Sequence, residues 1–384
     1  MTTVAIFTTT RAEFSIYLPL LQAIERHPNL EYRLFVGGSH LSDTHGWTMS
    51  EIQASGVDVS DTFPYLVEGY NPHALALGLS TATHSVADVF ERYDFDLLCV
   101  VGDRYELLAP VGNAILFGIP ILHLHGGERT EGAIDEQIRH MVTKASHLHA
   151  VACEEYRQNV ISLGEQPWRV HNTGALGIDR IASEAPLPKA VVFAELGLRE
   201  DAPVVLMTYH SMTREAPVSR SGQIDNIFDA LAEHDFQVVV TLPNVDTGFE
   251  DVVNRTRHRV GERPSWQIVK SLGSQKYHSL VRHSVFVIGN SSSGIIEVPY
   301  LRVPTIDIGD RQKGRFKHPS VVPAGYSRAS IARAILVALS DDTKRQIDLM
   351  KYEFGAGCAA QKIINILDDL PSRTELLRKE LLSR

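Results

Sequence analysis

Short runs of β-branched and apolar residues recur along the chain. Between them lie stretches whose apolar positions return every three to four residues. The runs Val4–Thr8, Tyr32–Val36, Leu97–Val101, Pro120–His123, His149–Ala152 and Arg169–Asn172 each predict a strand. They are nearly continuously apolar rather than alternating, which suits strands covered by helices on both faces of a parallel sheet. Ala74–Tyr93 predicts a helix, with Leu75, Leu79, Ala82, Val86 and Val89 on one stripe. The alternation breaks at Ile181–Lys189, where Pro186 and Pro188 among small residues read as a linker. A second series then predicts strands at Val204–Thr208, Gln237–Leu242, Trp266–Val269, Val285–Gly289 and Thr305–Ile308. The pattern predicts an α/β protein of two Rossmann-like, doubly wound domains, residues 1–180 and 181–365. The leucine-rich, alternately charged stretch Ser372–Arg384 predicts an amphipathic helix within 366–384 that packs back on a domain or serves a dimer contact.

Composition narrows the class. Of 384 residues, 44% are apolar and 22% charged, the profile of a soluble globular protein. No apolar run reaches the roughly 18 residues of a membrane-spanning helix. Met1–Phe7 passes straight into a strand without a basic segment or cleavage site, so the expectation is a cytoplasmic protein without a secretory leader. Cys99, Cys153 and Cys358 are odd in number and far apart, which fits a reducing compartment and neither a disulfide framework nor a zinc site. The net charge of −9 argues against nucleic acid as a partner. It leaves room for a small anion, because a few arginines and a helix N-terminus suffice to hold one.

One turn has the makings of an anion site. The apolar run Val285–Ile288 enters Gly289-Asn290-Ser291-Ser292-Ser293-Gly294, and a helical pattern carrying Glu297 follows. Free backbone N–H groups, a helix dipole and hydroxyls meet there. A plain serine N-cap explains one serine of the three. Glu297, one turn into the helix, is placed as acidic residues that hold ribose hydroxyls are in dinucleotide folds. The first strand-to-helix turn, Thr8–Glu13, lacks glycine; Arg11 there is either an anion contact or a solvated loop residue. No G-x-G-x-x-G follows any predicted strand, so no nicotinamide or flavin cofactor is expected.

Ionisable residues gather after consecutive strands. Leu97–Val101 leads into Gly102-Asp103-Arg104, and Ile121-Leu122 into His123-Leu124-His125-Gly126-Gly127-Glu128. A helix near Ile134–Ser146 follows, with Asp135 and Arg139 spaced as an i, i+4 pair. Ligands of open α/β sheets bind beyond the carboxyl ends of strands, so Asp103, Glu128 and the Asp135/Arg139 pair are expected to meet in one crevice. Singly, each has a structural explanation as a turn, a helix-start carboxylate or a surface pair; three in succession favour an acid–base cluster. His123-x-His125 lacks a third ligand at metal-binding spacing, so these read as structural or substrate-contacting histidines and no metal is expected.

Thr10–Glu13, Gly102–Arg104, His125–Glu128, Ile134–His140, Asn172-Thr173-Gly174, Leu242–Asp246 and Asn290–Gly294 with Glu297 together resemble the UDP-N-acetylglucosamine 2-epimerase family over nearly the whole chain. The resemblance is nearer the hydrolysing branch. Non-hydrolysing members typically carry Gly-Asp-Thr where this chain has Gly102-Asp103-Arg104, and His-Arg-Arg-Glu in place of the stretch from His210 to Arg214. The resemblance implies a GT-B arrangement with the active site between two domains and a homodimer or homotetramer. It also implies conversion of UDP-N-acetylglucosamine and water to N-acetylmannosamine and UDP, as in sialic-acid-type synthesis; the alternatives are the same chemistry on UDP-N,N′-diacetylbacillosamine or another nucleotide-linked HexNAc, or non-hydrolysing 2-epimerisation. It assigns Asp103, Glu128 and Asp135 to acid–base chemistry, with Arg139 and His210 beside them. Ser291, Ser292, Ser293 and Gly294 would hold phosphate and Glu297 the ribose. Arg11, Arg104, Arg311, Asn244 and Asp246 are further family-matched contacts. The competing readings are a GT-B glycosyltransferase and a non-catalytic nucleotide-sugar-binding regulator.

Overall fold

The fold is given by a computed structural model that describes residues 1–42, 47–67, 71–131, 134–210, 217–242, 249–269, 272–380 and 382, with no side chains described at 217–221 and 249. The chain divides into two compact units. The first comprises residues 1–128, 132–180 and 353–384; the second comprises 129–131 and 181–352.

Among the described residues the first unit holds a seven-stranded sheet. Its strands are β1 (Thr2–Thr8), β2 (Leu30–Gly37), β3 (Asp61–Phe63), β4 (Leu97–Val101), β5 (Ile121–Leu124), β6 (Leu148–Val151) and β7 (Val170–Asn172), in the order β3-β2-β1-β4-β5-β6-β7. Every pairing is parallel. Alternate residues of one strand feed two separate cores. Val4, Ile6, Leu97 and Cys99 pack with the helices Arg11–Glu25 and Ala359–Asp368. Ala5, Phe7, Leu98 and Val100 pack with Pro72–Arg92, Leu108–Phe117 and Ile134–Ala145. Burial of both faces explains the continuous apolar runs.

The second unit has a six-stranded parallel sheet of β8 (Val204–Thr208), β9 (Gln237–Thr241), β10 (Trp266–Val269), β11 (Phe286–Gly289), β12 (Thr305–Ile308) and β13 (Val321–Ala324), ordered β10-β9-β8-β11-β12-β13. In each unit the chain reverses direction across the sheet beside its first strand, between β1 and β4 and between β8 and β11. Those are the switch points where open α/β sheets bind ligands.

The departures from the predicted pattern have local causes. The strands β3 and β13 escaped prediction because Asp61-Thr62-Phe63 holds a single apolar residue and Val321–Ala324 contains Pro323. The helix Pro72–Arg92 starts before Ala74, since Asn71 accepts the Ala74 N–H at 2.9 Å and Pro72 occupies a first-turn position. At the C-terminus the predicted long helix shrinks to Arg373–Leu377, because Arg169 draws the carbonyls of Glu375, Leu376 and Arg378 to itself. The helix Ala359–Asp368, placed by its sequence position in 181–365, belongs to the first unit. Ile363, Ile364 and Leu367 enter that unit's core, and the Asp179 carboxylate caps the N–H groups of Ala359 and Ala360 at 2.9 and 2.7 Å. Among the described residues no helix is long and apolar enough to cross a membrane.

Candidate functional site

In the first unit the site residues stand just past β1, β4 and β5. β5 ends at Leu124, and His125 takes a left-handed conformation (φ +63°). This turns the chain into Gly126-Gly127-Glu128. Gly127 is required there: at φ +79° a Cβ atom would lie 2.3 Å from the Tyr156 carbonyl oxygen. The turn brings His125 Nδ1 to 2.9 Å from Glu128 Oε1.

Arg139 is the centre of the cluster. Only 1% exposed, its guanidinium donates to Asp103 Oδ2, to Glu136 Oε2 at 2.7 Å and to the Glu128 carbonyl at 2.8 Å. Burial opposes its charge, but the surrounding Asp103, Glu128 and Glu136 keep it protonated. Arg139, expected to pair with Asp135, binds the carboxylates of Asp103, from another strand end, and Glu136, at i−3. Asp135 is half-buried in the first turn of the same helix. Glu136 escaped the sequence reading, although the i, i+3 spacing offered the signal.

His123 lies beneath this layer. Its Nε2–H donates to the Gly102 carbonyl at 2.8 Å, and its Nδ1 lies 3.2 Å from the Thr143 hydroxyl. Burial pushes its pKa down to about 3, so it is a neutral strut between β4 and the helix Ile134–Ala145. Both histidines of the His-x-His pair are thus engaged within the protein.

Near β1 a second buried group was missed. Glu13 accepts from the Thr9 N–H at 2.8 Å and the Thr9 hydroxyl at 2.7 Å, and closes a capping box with Thr10. Burial pushes its carboxyl pKa up, against the pull of Arg104. Arg104 binds the buried Glu106 carboxylate at 2.9 and 3.2 Å, while Arg11 pairs with Glu51 at 2.9 Å on the surface. Arg11 and Arg104 therefore rest on carboxylates of this unit.

In the second unit the glycine–serine turn follows β11. Gly289 sits at φ +145°, where a Cβ atom would fall 1.9 Å from the Thr208 carbonyl oxygen. That contact brings β8 against the turn. Asn290 then ties three segments together. Its side chain exchanges two hydrogen bonds with the backbone of His210, at 2.7 and 2.9 Å, and its carbonyl accepts from Arg311 and Gln312, both at 2.9 Å. Burial, and secondarily Arg311, push the His210 pKa down to about 3. His210 is uncharged at neutral pH, so it meets an anion only through an N–H.

The helix Ser293–Tyr300 begins here, and Ser292 at its N-cap is exposed and makes no side-chain cap bond. The single-serine cap therefore does not account for the turn. Ser293, expected to hold phosphate, turns its hydroxyl elsewhere: it lies 2.7 Å from Glu297 Oε2 and 2.8 Å from the Tyr277 hydroxyl. His278 Nε2 reaches the same Glu297 oxygen at 3.3 Å. Glu297 is thus braced on one oxygen. Gly294 is buried against Thr305, and Asn244 and Asp246 lie outside the described residues.

Two parallel Rossmann-like sheets, a carboxylate–arginine junction past β4 and β5, and a serine turn past β11 set the frame for comparison. Residues 22–368 match the profile of the UDP-N-acetylglucosamine 2-epimerase family. The chain belongs to the UDP-N-acetylglucosamine 2-epimerase family. Family membership makes it an enzyme of UDP-sugar 2-epimerisation. It is 33% identical over 338 residues to the polysialic acid biosynthesis protein P7 of Escherichia coli, covering 86% of this chain and 84% of that protein. It is also 33% identical over 327 residues to the hydrolysing GDP/UDP-N,N′-diacetylbacillosamine 2-epimerase of Campylobacter jejuni, covering 83% of each. Its fold matches that of the UDP-GlcNAc 2-epimerase from Neisseria meningitidis, solved bound to UDP-GlcNAc, with a TM-score of 0.84 at 16% identity over 96% of this chain and all of that one. The GT-B-like, two-domain α/β class is thereby established.

Proposed function

We propose that the protein is a hydrolysing epimerase that converts UDP-N-acetylglucosamine and water to N-acetylmannosamine and UDP. The observation that carries this reading is the Arg139 junction. A buried, permanently charged guanidinium binds Asp103 and the backbone of Glu128, and the helix that bears it also bears Asp135. Three carboxyl groups on rigid strand ends and one helix suit proton transfer at carbon; binding alone does not need them.

The C2–H bond of such a sugar is not adjacent to a carbonyl, so its direct ionisation is very costly. Elimination removes the difficulty. As the C1–O bond to the diphosphate breaks, positive charge at C1 acidifies C2–H. A carboxylate of the set Asp103, Glu128 and Asp135 takes that proton, a C1=C2 double bond forms, and UDP carries away the bonding pair. Water then adds its oxygen to C1 of the 2-acetamidoglucal while a proton is delivered to the opposite face of C2. Each step balances without a redox cofactor or metal.

The leaving diphosphate calls for donors fixed in advance. Ser291, Ser292, the positive end of the helix Ser293–Tyr300 and the Arg311 guanidinium supply them in this reading, and neutral His210 adds an N–H. Glu297, braced by Ser293, accepts from the ribose hydroxyls. Arg11 and Arg104 serve as further anion contacts.

Hydrolysis and the sialic-acid-type context rest on the two bacterial relatives, whose names specify hydrolysis and polysialic acid synthesis. The Campylobacter relative also supports a second reading, the same chemistry on UDP-N,N′-diacetylbacillosamine. A substrate panel distinguishes them: kcat/KM for both UDP-sugars, with UDP release followed by phosphorus NMR. A preference of at least about tenfold for UDP-N-acetylglucosamine is expected, the scale on which a pocket resolves one polar substituent. The reverse preference moves the assignment to the second sugar, and inertness toward both contradicts the proposal.

A further inference from the structure

A buried ionic cluster outside this chemistry ties the C-terminal segment to the helix that carries it. Glu165 is fully buried, between β6 and β7 in sequence, and two lysines and a histidine surround it. Lys144, in the last turn of the helix Ile134–Ala145, reaches Oε1 at 2.5 Å; Lys379, from the C-terminal segment, reaches Oε2 at 2.9 Å; His149 stands 3.3 Å from Oε2. The Lys379 ammonium also donates to the backbone carbonyls of Thr143, Lys144 and Ser146, at 3.4, 2.6 and 2.5 Å. Those carbonyls lie in the last turn of the helix and just past it, where the helical ladder runs out, and a cation there opposes the negative end of the helix dipole. The segment that delivers Lys379 is itself pinned. Arg169, 1% exposed, donates to three of its carbonyls, and Leu376 is buried in the first unit's core.

The helix is therefore held at three levels. Near its start Arg139 binds Asp103. In its third turn Thr143 meets His123, which in turn holds Gly102, the residue before Asp103. At its end Lys379 closes the carbonyls. All of these contacts lie within the first unit.

We infer that Lys379 is a positioning residue for catalysis: through Glu165 and the helix end it fixes the axial position of Ile134–Ala145, and hence of Asp135 and Arg139. Replacing this half-buried ammonium by an apolar side chain leaves Glu165 short of one charge and takes a donor from the carbonyls of Thr143, Lys144 and Ser146. The helix then slides or frays from its C-terminal end. Displacements of about 1 Å in a catalytic group cost up to roughly a hundredfold in rate. The contacts proposed for Ser291, Ser292 and Glu297 belong to elements of the second unit, and Arg11 and Arg104 stand on other elements than Ile134–Ala145, so substrate binding stays as it was. Loss of the latch thus lowers kcat and spares KM.

The kinetic part of this inference rests on the epimerase reading; the structural part does not. The test uses the full chain with Lys379→Met and Lys379→Arg. Backbone hydrogen exchange is followed by mass spectrometry, and kcat and KM are measured for UDP-N-acetylglucosamine and UDP-N,N′-diacetylbacillosamine. Lys379→Met is expected to speed exchange across 138–146 by about tenfold while peptides from 204–241 keep their rates, consistent with local rather than global opening. It should lower kcat by about tenfold or more with KM within about twofold. Lys379→Arg, which restores the charge and several donors, should recover most of both. Unchanged exchange in 138–146 overturns the latch whether or not the protein turns over either sugar. Faster exchange with unchanged kcat overturns the positioning role. Absence of turnover by the unsubstituted protein contradicts the proposed reaction, and the exchange result then still decides the latch.

Discussion

Asp103 and Glu297 divide the proposed work between proton chemistry and binding, and substitution separates the two. Asp103→Asn keeps the shape of the side chain but removes a base and a negative partner from Arg139. Turnover should fall roughly 10²- to 10⁴-fold, while calorimetry shows UDP affinity within about twofold; undiminished turnover removes Asp103 from the mechanism. Glu297→Gln should weaken UDP by about tenfold, the worth of one charge-assisted hydrogen bond, and leave inorganic pyrophosphate binding unchanged. Equal weakening of both ligands contradicts the ribose role. At this scale the sequence singled out charged residues at strand ends but not how they pair. Asp103, Glu128 and Arg139 stood out as charged residues after apolar runs, but Arg139 binds across to Asp103 through a tertiary contact that helical spacing does not encode. Ser293 read as a phosphate ligand because a hydroxyl in a serine run carries no sign of its direction; in the fold it braces Glu297.

Among elements, the strand-end turns position everything else. β8 and β11 meet at Gly289, where the approach of the Thr208 carbonyl leaves no room for a side chain. Gly289→Ala should therefore cost about 3 kcal/mol, combining a disfavoured φ with overpacking against backbone. A thermal-melt midpoint within about 2 °C of the parent shows instead that the turn relaxes freely. The strands of the second series were readable because their apolar runs are bounded by glycine, proline and polar turns; β3 was not, since it holds one apolar residue in three, and β13 was not, since Pro323 interrupts it. The C-terminal helix was readable as amphipathic and unreadable in its extent. Arg169 captures its carbonyls, through bonds that span more than 200 positions in the chain.

For the whole molecule, the return of residues 353–384 to the first unit is the largest feature that periodicity leaves open. A helix pattern tells which face is apolar, not which core receives it; Asp179 and the core around Leu20 and Ile24 decide that here. A second whole-molecule property follows from buried histidines. Desolvation lowers the pKa of His40 and His147 to about 4 and of His123 and His210 to about 3. Above the unfolded value near 6.5 both states are neutral and stability is complete. Between 6.5 and about 4 the unfolded chain binds protons that the folded one refuses, so stability falls as pH falls, by up to about 1.4 kcal/mol per pH unit for each such histidine. Melting midpoints should drop steadily from pH 7 to pH 5; a flat profile shows that these imidazoles titrate normally in the fold.

The central claim is elimination at C2 followed by hydration, and solvent deuterium reports on it directly. The protein is incubated with UDP-N-acetylglucosamine in D2O, and the products are followed by proton and phosphorus NMR. The account predicts free UDP in step with N-acetylmannosamine that carries one deuterium at C2. Release of UDP with a sugar that keeps its original hydrogen and configuration at C2 would mean simple hydrolysis or transfer, and would contradict it.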